Sequence, residues 1–427
     1  MAKYFLCTLN KPALSFRAGE TMEFFVAAFE DGAPLACPQV QWELAGDDGQ
    51  VRTGTAACPR ENGFSLKASC DEPGFVRLTC TALGEDGAPN ADFEVCVSGA
   101  GADVEDIRIQ DASPEDSDVY WKNTEDVISG FSPALLEKVP YTRGVFGEFA
   151  CFAVKIPSPA ERPVLGYLSV PGGKGPFPLI VSFRDCGSAE EPFFTPGAIC
   201  FQANARGFDD FAPDTARRQD MSLENLAALR FLKTLPEWDG KNITCLGSGQ
   251  GALPAILCAA QDRDVTFLEL SAPRCGRNGA NISDLSYFVF QAEKVSCPVR
   301  IRAYLGDAAC PPGTAMALWH GFKGKKTVEF IQGGAHASLP RESERFVLYR
   351  DPSGPGAAVL PGRYRHFKGK EYQVLFTARH SETMEEMVVY QALYGTRGVW
   401  VRPAAMWQEL VPVNGRLVYR FSFVSEE

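Results

Sequence analysis

The stretch ITCLGSGQGALP, residues 243–254, decides how this chain is read. Apolar residues suited to a buried strand run into a glycine-studded turn, and small apolar residues suited to a helix follow at once. That is the order of a nucleophile elbow, G-x-S-x-G, in which the central serine stands on a strained strand-to-helix turn with its hydroxyl above the sheet. Here the phase is Gly247-Ser248-Gly249-Gln250-Gly251. Glycine holds the middle position, and the serine stands one place early.

Outward from that turn, apolar runs of strand length alternate with helical ones. RPVLGYLSVP and PFPLIVSF read as strands, ENLAALRFLKTLP carries a helical spacing, and VTFLEL, VRIRAYLGD and KTVEFIQGG read as further buried strands. This alternation predicts a doubly wound, mostly parallel α/β sheet with ligands at the carboxyl ends of its strands. DASPEDSDVYWKNTEDVISGF predicts a helix entered from a capping Ser or Asp, with Trp121 as an anchor.

The flanks differ. Residues 1–100 place short apolar runs between Asp-Gly turn signals at 31–32, 48–49 and 86–87, which predicts an antiparallel β-sandwich of immunoglobulin type with Trp42 in its core. It reads as a packing or spacer module, with carbohydrate binding as the alternative. YRDPSGPGAAVLPG reads as a Pro/Gly linker, and a small β-rich, barrel-like module follows. The expected boundaries are 1–108 for the sandwich, 109–345 for the α/β domain, 346–361 for the linker and 362–427 for the tail.

Composition narrows the function. A net charge of -11 over 427 residues argues against a nucleic-acid binder. No run approaches the ~18 apolar residues that span a bilayer, and the start lacks a signal-peptide pattern, so the expected location is cytoplasmic. Fourteen cysteines occur without a C-x-x-C pair, which predicts buried thiols rather than a metal site. Six of them lie in residues 1–100, leaving disulfides open there if the protein is exported.

Hydrolase chemistry on such a sheet needs a nucleophile, an acid and a base in that chain order. The chain has four histidines. His366 and His380 belong to the tail, and His320 falls on an expected helix. His336, in FIQGGAHAS, follows the last buried strand in a glycine-rich loop, where the base belongs. Asp307 closes the strand before it, where the acid belongs.

At these residues the chain resembles a known family. YLGDAACPPGTAMALWHGF is similar to the acid loop G-L-x-D-x-x-C-P-P-S-T of the acetyl xylan esterase / cephalosporin-C deacetylase family, carbohydrate esterase family seven. LSYFVFQAEKVSCPVRI, PEWDGKNITCLGSGQG, ARGFDDF and SPEDSDVYW resemble further stretches of it. The resemblance implies an α/β-hydrolase fold over 109–345 and deacetylation of a small-molecule or oligosaccharide ester. It implies Asp307 and His336 as acid and base, no cofactor or metal, and, since the family often forms hexamers, an open question of homo-oligomers. No membrane partner is expected.

The departures fall on the chemistry. Gly249 occupies the nucleophile position, Ser248 replaces the preceding glycine, and Gln250 keeps the place of the glutamine after the serine. Phe183-Arg184-Asp185-Cys186 stands where the family's oxyanion loop reads F-H-G-Y. The insertion after FLEL is short. Three readings stay open: an impaired or inactive esterase, an active one using Ser248 (or, more remotely, Cys186) as a shifted nucleophile, and a non-catalytic carbohydrate- or protein-interaction protein. The tail resembles, at Tyr364, His366, Lys368-Gly369, Arg379-His380-Ser381-Glu382-Thr383 and Trp400-Val401-Arg402-Pro403, a small bacterial domain family of unknown function. ARHSET within it reads as a hydrogen-bonded turn network or a polar ligand site.

Overall fold

The computed structural model describes residues 3–107, 117–143, 147–160, 162–184, 191–203, 215–274, 282–335, 345–350, 359, 361–383, 386–407, 410–413 and 416–425. The first eight strands are β1 (Lys3–Leu9), β2 (Met22–Glu30), β3 (Ala33–Leu35), β4 (Cys37–Gly46), β5 (Val51–Cys58), β6 (Phe64–Ala68), β7 (Gly74–Ala82) and β8 (Cys96–Ala102). One sheet runs β1-β2-β3 with β6 also on β2, and the other runs β5-β4-β7-β8. The Asp-Gly signals mark real turns, with Gly32, Gly49 and Gly87 all at positive φ. Alternation then sends Met22, Phe24, Val26 and Ala28 of β2 into the core between the sheets. Trp42 only borders that core: half-buried, its ring lies over Gly54 of β5, which has no side chain to displace it.

A second body is built on one large sheet. Its elements are α1 (Ser117–Ser129), β9 (Glu137–Pro140), β10 (Phe149–Ile156), β11 (Val164–Pro171), β12 (Phe177–Phe183), β13 (Ile199–Ala203), α2 (Thr215–Leu232), β14 (Trp238–Ser248) and α3 (Ala252–Gln261). They continue with β15 (Phe267–Ser271), α4 (Ile282–Ala292), β16 (Val299–Tyr304), α5 (Pro312–Gly321), β17 (Lys326–Ile331) and β18 (Arg345–Arg350). The strands lie in the order β18-β17-β16-β15-β14-β12-β13-β11-β10-β9, and all neighbours from β13 to β17 are parallel. Counted from β10, the third and fourth strands exchange places and the rest follow in sequence. That is the α/β-hydrolase order.

One sheet face is continuous core. Val154, Leu168, Phe201, Val181, Cys245, Leu270, Ile301 and Val328 pack there under α2, α3 and α5, with α4 bridging α3 and α5 and α1 lying on α2. A doubly wound sheet should carry helices on both faces, yet no described helix packs on the other one. Polar side chains stand on that face instead: Arg302 pairs with Glu329 at 3.1 Å, and Glu269 lies near Arg300 and Arg302 at 3.7 and 4.0 Å.

The linker begins later than its sequence suggests. Residues 345–350 form β18, antiparallel to β17. The free edge of β17 supplies a partner row of backbone groups, and RFVLYR offers the apolar, β-favouring residues to use it. At the other end Val359 is buried in the tail's core.

That tail is a five-stranded antiparallel sheet, not a closed barrel among the described residues. Its elements are β19 (Gly362–His366), β20 (Glu371–Arg379), β21 (Glu386–Ala392), β22 (Val399–Pro403), α6 (Ala404–Trp407), β23 (Leu410–Val413), β24 (Arg416–Tyr419) and β25 (Phe421–Ser425). The main sheet runs β22-β21-β20-β19-β25, and β23 pairs with β24 as a ribbon. Trp407 stacks on Phe421 with ring centroids 3.7 Å apart. All twelve described cysteines of the chain are free thiols, and all but Cys7 are buried.

Candidate active site

The elbow forms where the sequence places it. β14 ends at Ser248, residues 249–251 make one 3-10 turn, and α3 starts at Ala252. The two outer glycines are required by contact. A Cβ on Gly247 would stand 2.7 Å from the Gly251 carbonyl oxygen, and one on Gly251 would stand 2.1 Å from that of Phe183. Gly249, at the tip, has φ 54°, in the left-handed region that glycine occupies without penalty.

Ser248 does not take over the tip. It is still extended strand, φ -122° and ψ 139°, and pairs with Ser271 of β15. Strand alternation puts Cys245 and Gly247 toward α3 and Ser248 on the opposite sheet face. Its hydroxyl therefore leaves the sheet in a direction different from that of a side chain at 249. Gln250 is buried in the turn, and its backbone N–H has the place that an elbow uses as an oxyanion donor.

Two neighbouring loops are tied to this turn. Arg274 N–H donates to the Gly249 carbonyl at 2.9 Å, fastening the chain after β15 to the elbow. Ala272 in that segment has φ 46°, a left-handed residue that nothing in the sequence signals. On the other side β12 ends at Phe183, and the half-buried Arg184 follows beside Gly251. Asp185 and Cys186 lie outside the described residues.

Asp307 lies three residues past the end of β16, 1% exposed. Its Oδ1 accepts the backbone N–H groups of Ala309 at 3.0 Å and Cys310 at 2.9 Å, and its own N–H donates to the Tyr304 carbonyl at 3.2 Å. The carboxylate is thus locked to its own loop, immediately before α5. β17 runs parallel to β16 and leads through Gln332, Gly333 and Gly334 to Ala335. His336 is the next residue and lies outside the described residues. The structure therefore brings the elbow, Asp307 and the approach to His336 to one end of three strands, β14, β16 and β17.

The remaining histidines have local duties. His320 sits on α5 with its ring edge-on to Trp319. In the tail, His366 Nδ1 accepts the Lys368 N–H, and His380 Nδ1 accepts the N–H groups of Glu382 and Thr383, all at 3.3 Å. Each tail imidazole closes its own turn, as in a hydrogen-bonded turn network. Among the described residues no group of His, Cys, Asp and Glu is arranged to hold a metal ion, and no helix is long and apolar enough to cross a membrane.

Known proteins resemble the chain in two regions. The chain is 22% identical over 363 residues to the acetyl esterase Axe7A of Xylanibacter ruminicola, which takes in 71% of this chain and 80% of that protein. Residues 362–423 match the family described as a protein of unknown function, DUF1653. The chain is similar to an acetyl esterase over most of its length and matches the DUF1653 model at its tail. Among solved structures, the acetyl xylan esterase from Paenibacillus sp. R4 is similar at 16% identity and a TM-score of 0.48, over 55% of this chain and 93% of that one. A DUF1653 protein from Bordetella bronchiseptica is similar at 38% identity and a TM-score of 0.16, over 16% and 91%. The Axe7A match takes in more of the chain than residues 109–345 alone can supply, so this acetyl esterase likeness reaches beyond the hydrolase domain.

Proposed function

We propose that the central domain is a carbohydrate acetyl esterase scaffold in which Gly249 has replaced the nucleophile, leaving a site that binds an acetylated sugar or related small ester with little or no turnover. Asp307 and His336 are the acid and base of that site, and the Gln250 N–H with the Arg184 region is its oxyanion side. One observation carries the reading: the residue at the elbow tip, φ 54°, has no side chain. Acyl transfer needs a nucleophilic oxygen or sulfur within about 3 Å of its base, and the tip offers none. An esterase without its nucleophile retains about 10³–10⁴-fold over water from binding and the oxyanion hole. The altered loop at Arg184 lowers that remainder.

Ser248 as a shifted nucleophile is disfavoured by its extended conformation and its pairing with Ser271. The test is hydrolysis of 4-nitrophenyl acetate by the natural chain, by Gly249→Ser and by Gly249→Ser/His336→Ala. Turnover from the serine variant alone supports the reading. Turnover by the natural chain that Ser248→Ala abolishes overturns it.

A further inference from the structure

The sandwich grips the loops on either side of the candidate site. β8 is an edge strand, so its outer backbone groups need partners. At Gly99 those partners come from Gln332, the first residue beyond β17. Its Nε2 donates to the Gly99 carbonyl at 2.8 Å, and its Oε1 accepts the Gly99 N–H at 3.0 Å. The same Oε1 accepts the Gly333 N–H at 3.0 Å. One amide thus pairs with a sandwich strand in both directions while holding the first turn of the loop that leads to His336.

The acid loop is held by backbone contact. A Cβ on Gly99 would stand 2.0 Å from the Leu305 carbonyl oxygen, and a Cβ on Gly306 would stand 2.7 Å from Val97 Cβ and 2.8 Å from the Ser98 nitrogen. Glycine is needed on both sides, because two main chains touch there. Beyond the loop, Asp47 faces the first turn of α5, where a Cβ on Gly313 would meet its Oδ2 at 2.7 Å. Asp47 is itself held by Arg77 and by the Phe75 N–H at 3.1 Å. A carboxylate there suits the positive end of the helix. Beneath these contacts Phe75 packs on Phe330 at 5.6 Å, and Ala13, Phe75 and Val104 belong to the same core as Leu305, Ala315 and Phe330.

We propose that the sandwich is the part of this protein that sets the relative position of the acid and base loops, with Gln332 as the positioning residue that couples them. Only the naming of the loops rests on the function proposed above. A tethered spacer or a swinging carbohydrate-binding module would not share a core with its neighbour or require glycine at both sides of the contact. Acid–base pairs need placement within about 0.5 Å, and sites on loops are held less precisely than sites on helices or strands. The sandwich does so by capping both.

Hydrogen–deuterium exchange on the full chain tests this, because the amides of Ala309 and Cys310 are the ones bonded to Asp307. In Gln332→Ala, exchange over residues 305–310 and 332–335 should rise about tenfold, while peptides from β2, β4 and β12 keep their rates. Gly99→Ala, which wedges β8 away from Leu305, should raise exchange over 305–310 in the same way. Unchanged exchange there in both variants, or a uniform rise across the chain, overturns the proposal. In a Gly249→Ser background, Gln332→Ala should lower kcat with KM unchanged, and an unchanged kcat beside the local rise would reduce Gln332 to a structural role. If Gly249→Ser shows no turnover, the esterase reading fails while the exchange result still decides whether the sandwich holds the loops.

Discussion

Serine at position 249 should lower stability while restoring chemistry, and each effect has its own control. The backbone there has φ 54°. Holding a non-glycine residue in that region costs about 1–3 kcal/mol. At about 2–4 °C per kcal/mol for a domain of this size, Gly249→Ser should melt roughly 2–12 °C below the natural chain. Gly249→Ala carries the same strain without an oxygen, so it should melt with the serine variant. Turnover should separate the two. Serine adds an Oγ above the sheet on the side of Asp307 and the approach to His336, and 4-nitrophenyl acetate hydrolysis should exceed that of the alanine variant by at least about 10²-fold, the scale of a working nucleophile and base. Thermal unfolding by circular dichroism and initial rates on the same preparations read both quantities. A serine variant as stable as the parent would refute the strain argument. Equal rates from serine and alanine would refute the assignment of position 249.

Other predictions rest on separate features. Gly251→Ala puts a Cβ 2.1 Å from the Phe183 carbonyl oxygen, so strand or helix must shift. Its stability should fall by about 3 kcal/mol or more, measured by urea unfolding, and a loss under 1 kcal/mol would mean that the elbow does not pack as described. Lys326, 4% exposed on the core face of β17, donates to the Trp319 and Phe322 carbonyls at the end of α5. Lys326→Met leaves both without that donor and should cost about 2–4 kcal/mol by the same assay; no change would show that other groups serve them. Burial pushes the Cys70 thiol up to about 12, helped by the charges of Asp47 and Asp48, and burial also raises Cys297 to about 12. A folded value above the unfolded one of about 8.5 leaves stability intact below that pH and erodes it as pH climbs toward 12. Urea midpoints should therefore fall between pH 9 and 11, and Cys70→Ala should flatten that fall; a parallel slope would assign the pH dependence elsewhere.

Much of the fold was legible because its signals are local. The Asp-Gly turns, the glycine phase at 247–251 and the acid loop at 305–312 each span a few neighbouring residues, and each forms where expected. What escaped depends on distant partners. RFVLYR looks like the start of a linker until the open edge of β17 is seen beside it. Trp42 looks like a core residue by bulk, yet it borders the core because its cross-strand neighbour is Gly54. Gln332 and Gly99 are 233 positions apart, and neither carries a pattern that points to the other. Nothing around Gly306 or Gly313 in the sequence points to Val97, Ser98 or Asp47, which a Cβ at either would meet. Sequence spacing placed Asp307 after β16 and Gly249 at a strand-to-helix turn, but it could not show what packs against the 305–312 loop.

The elbow's shape and its chemistry also separate here for a physical reason. Gly247 and Gly251 are fixed by backbone approaches of 2.7 and 2.1 Å that no side chain would survive. At position 249 the backbone is left-handed, φ 54°, and glycine meets that more easily than serine does. Glycine at 249 therefore leaves the turn unstrained, and the strand order, the helix entry and the Asp307 loop form around it. An intact hydrolase fold is consequently no measure of hydrolase activity in this chain. Nor are well-placed loops, because contacts with the sandwich hold them whether or not a nucleophile stands between. A side-chain oxygen at position 249 is a part of the elbow that this fold forms without, so only adding one, with stability and rate followed together, reports on what the site can do.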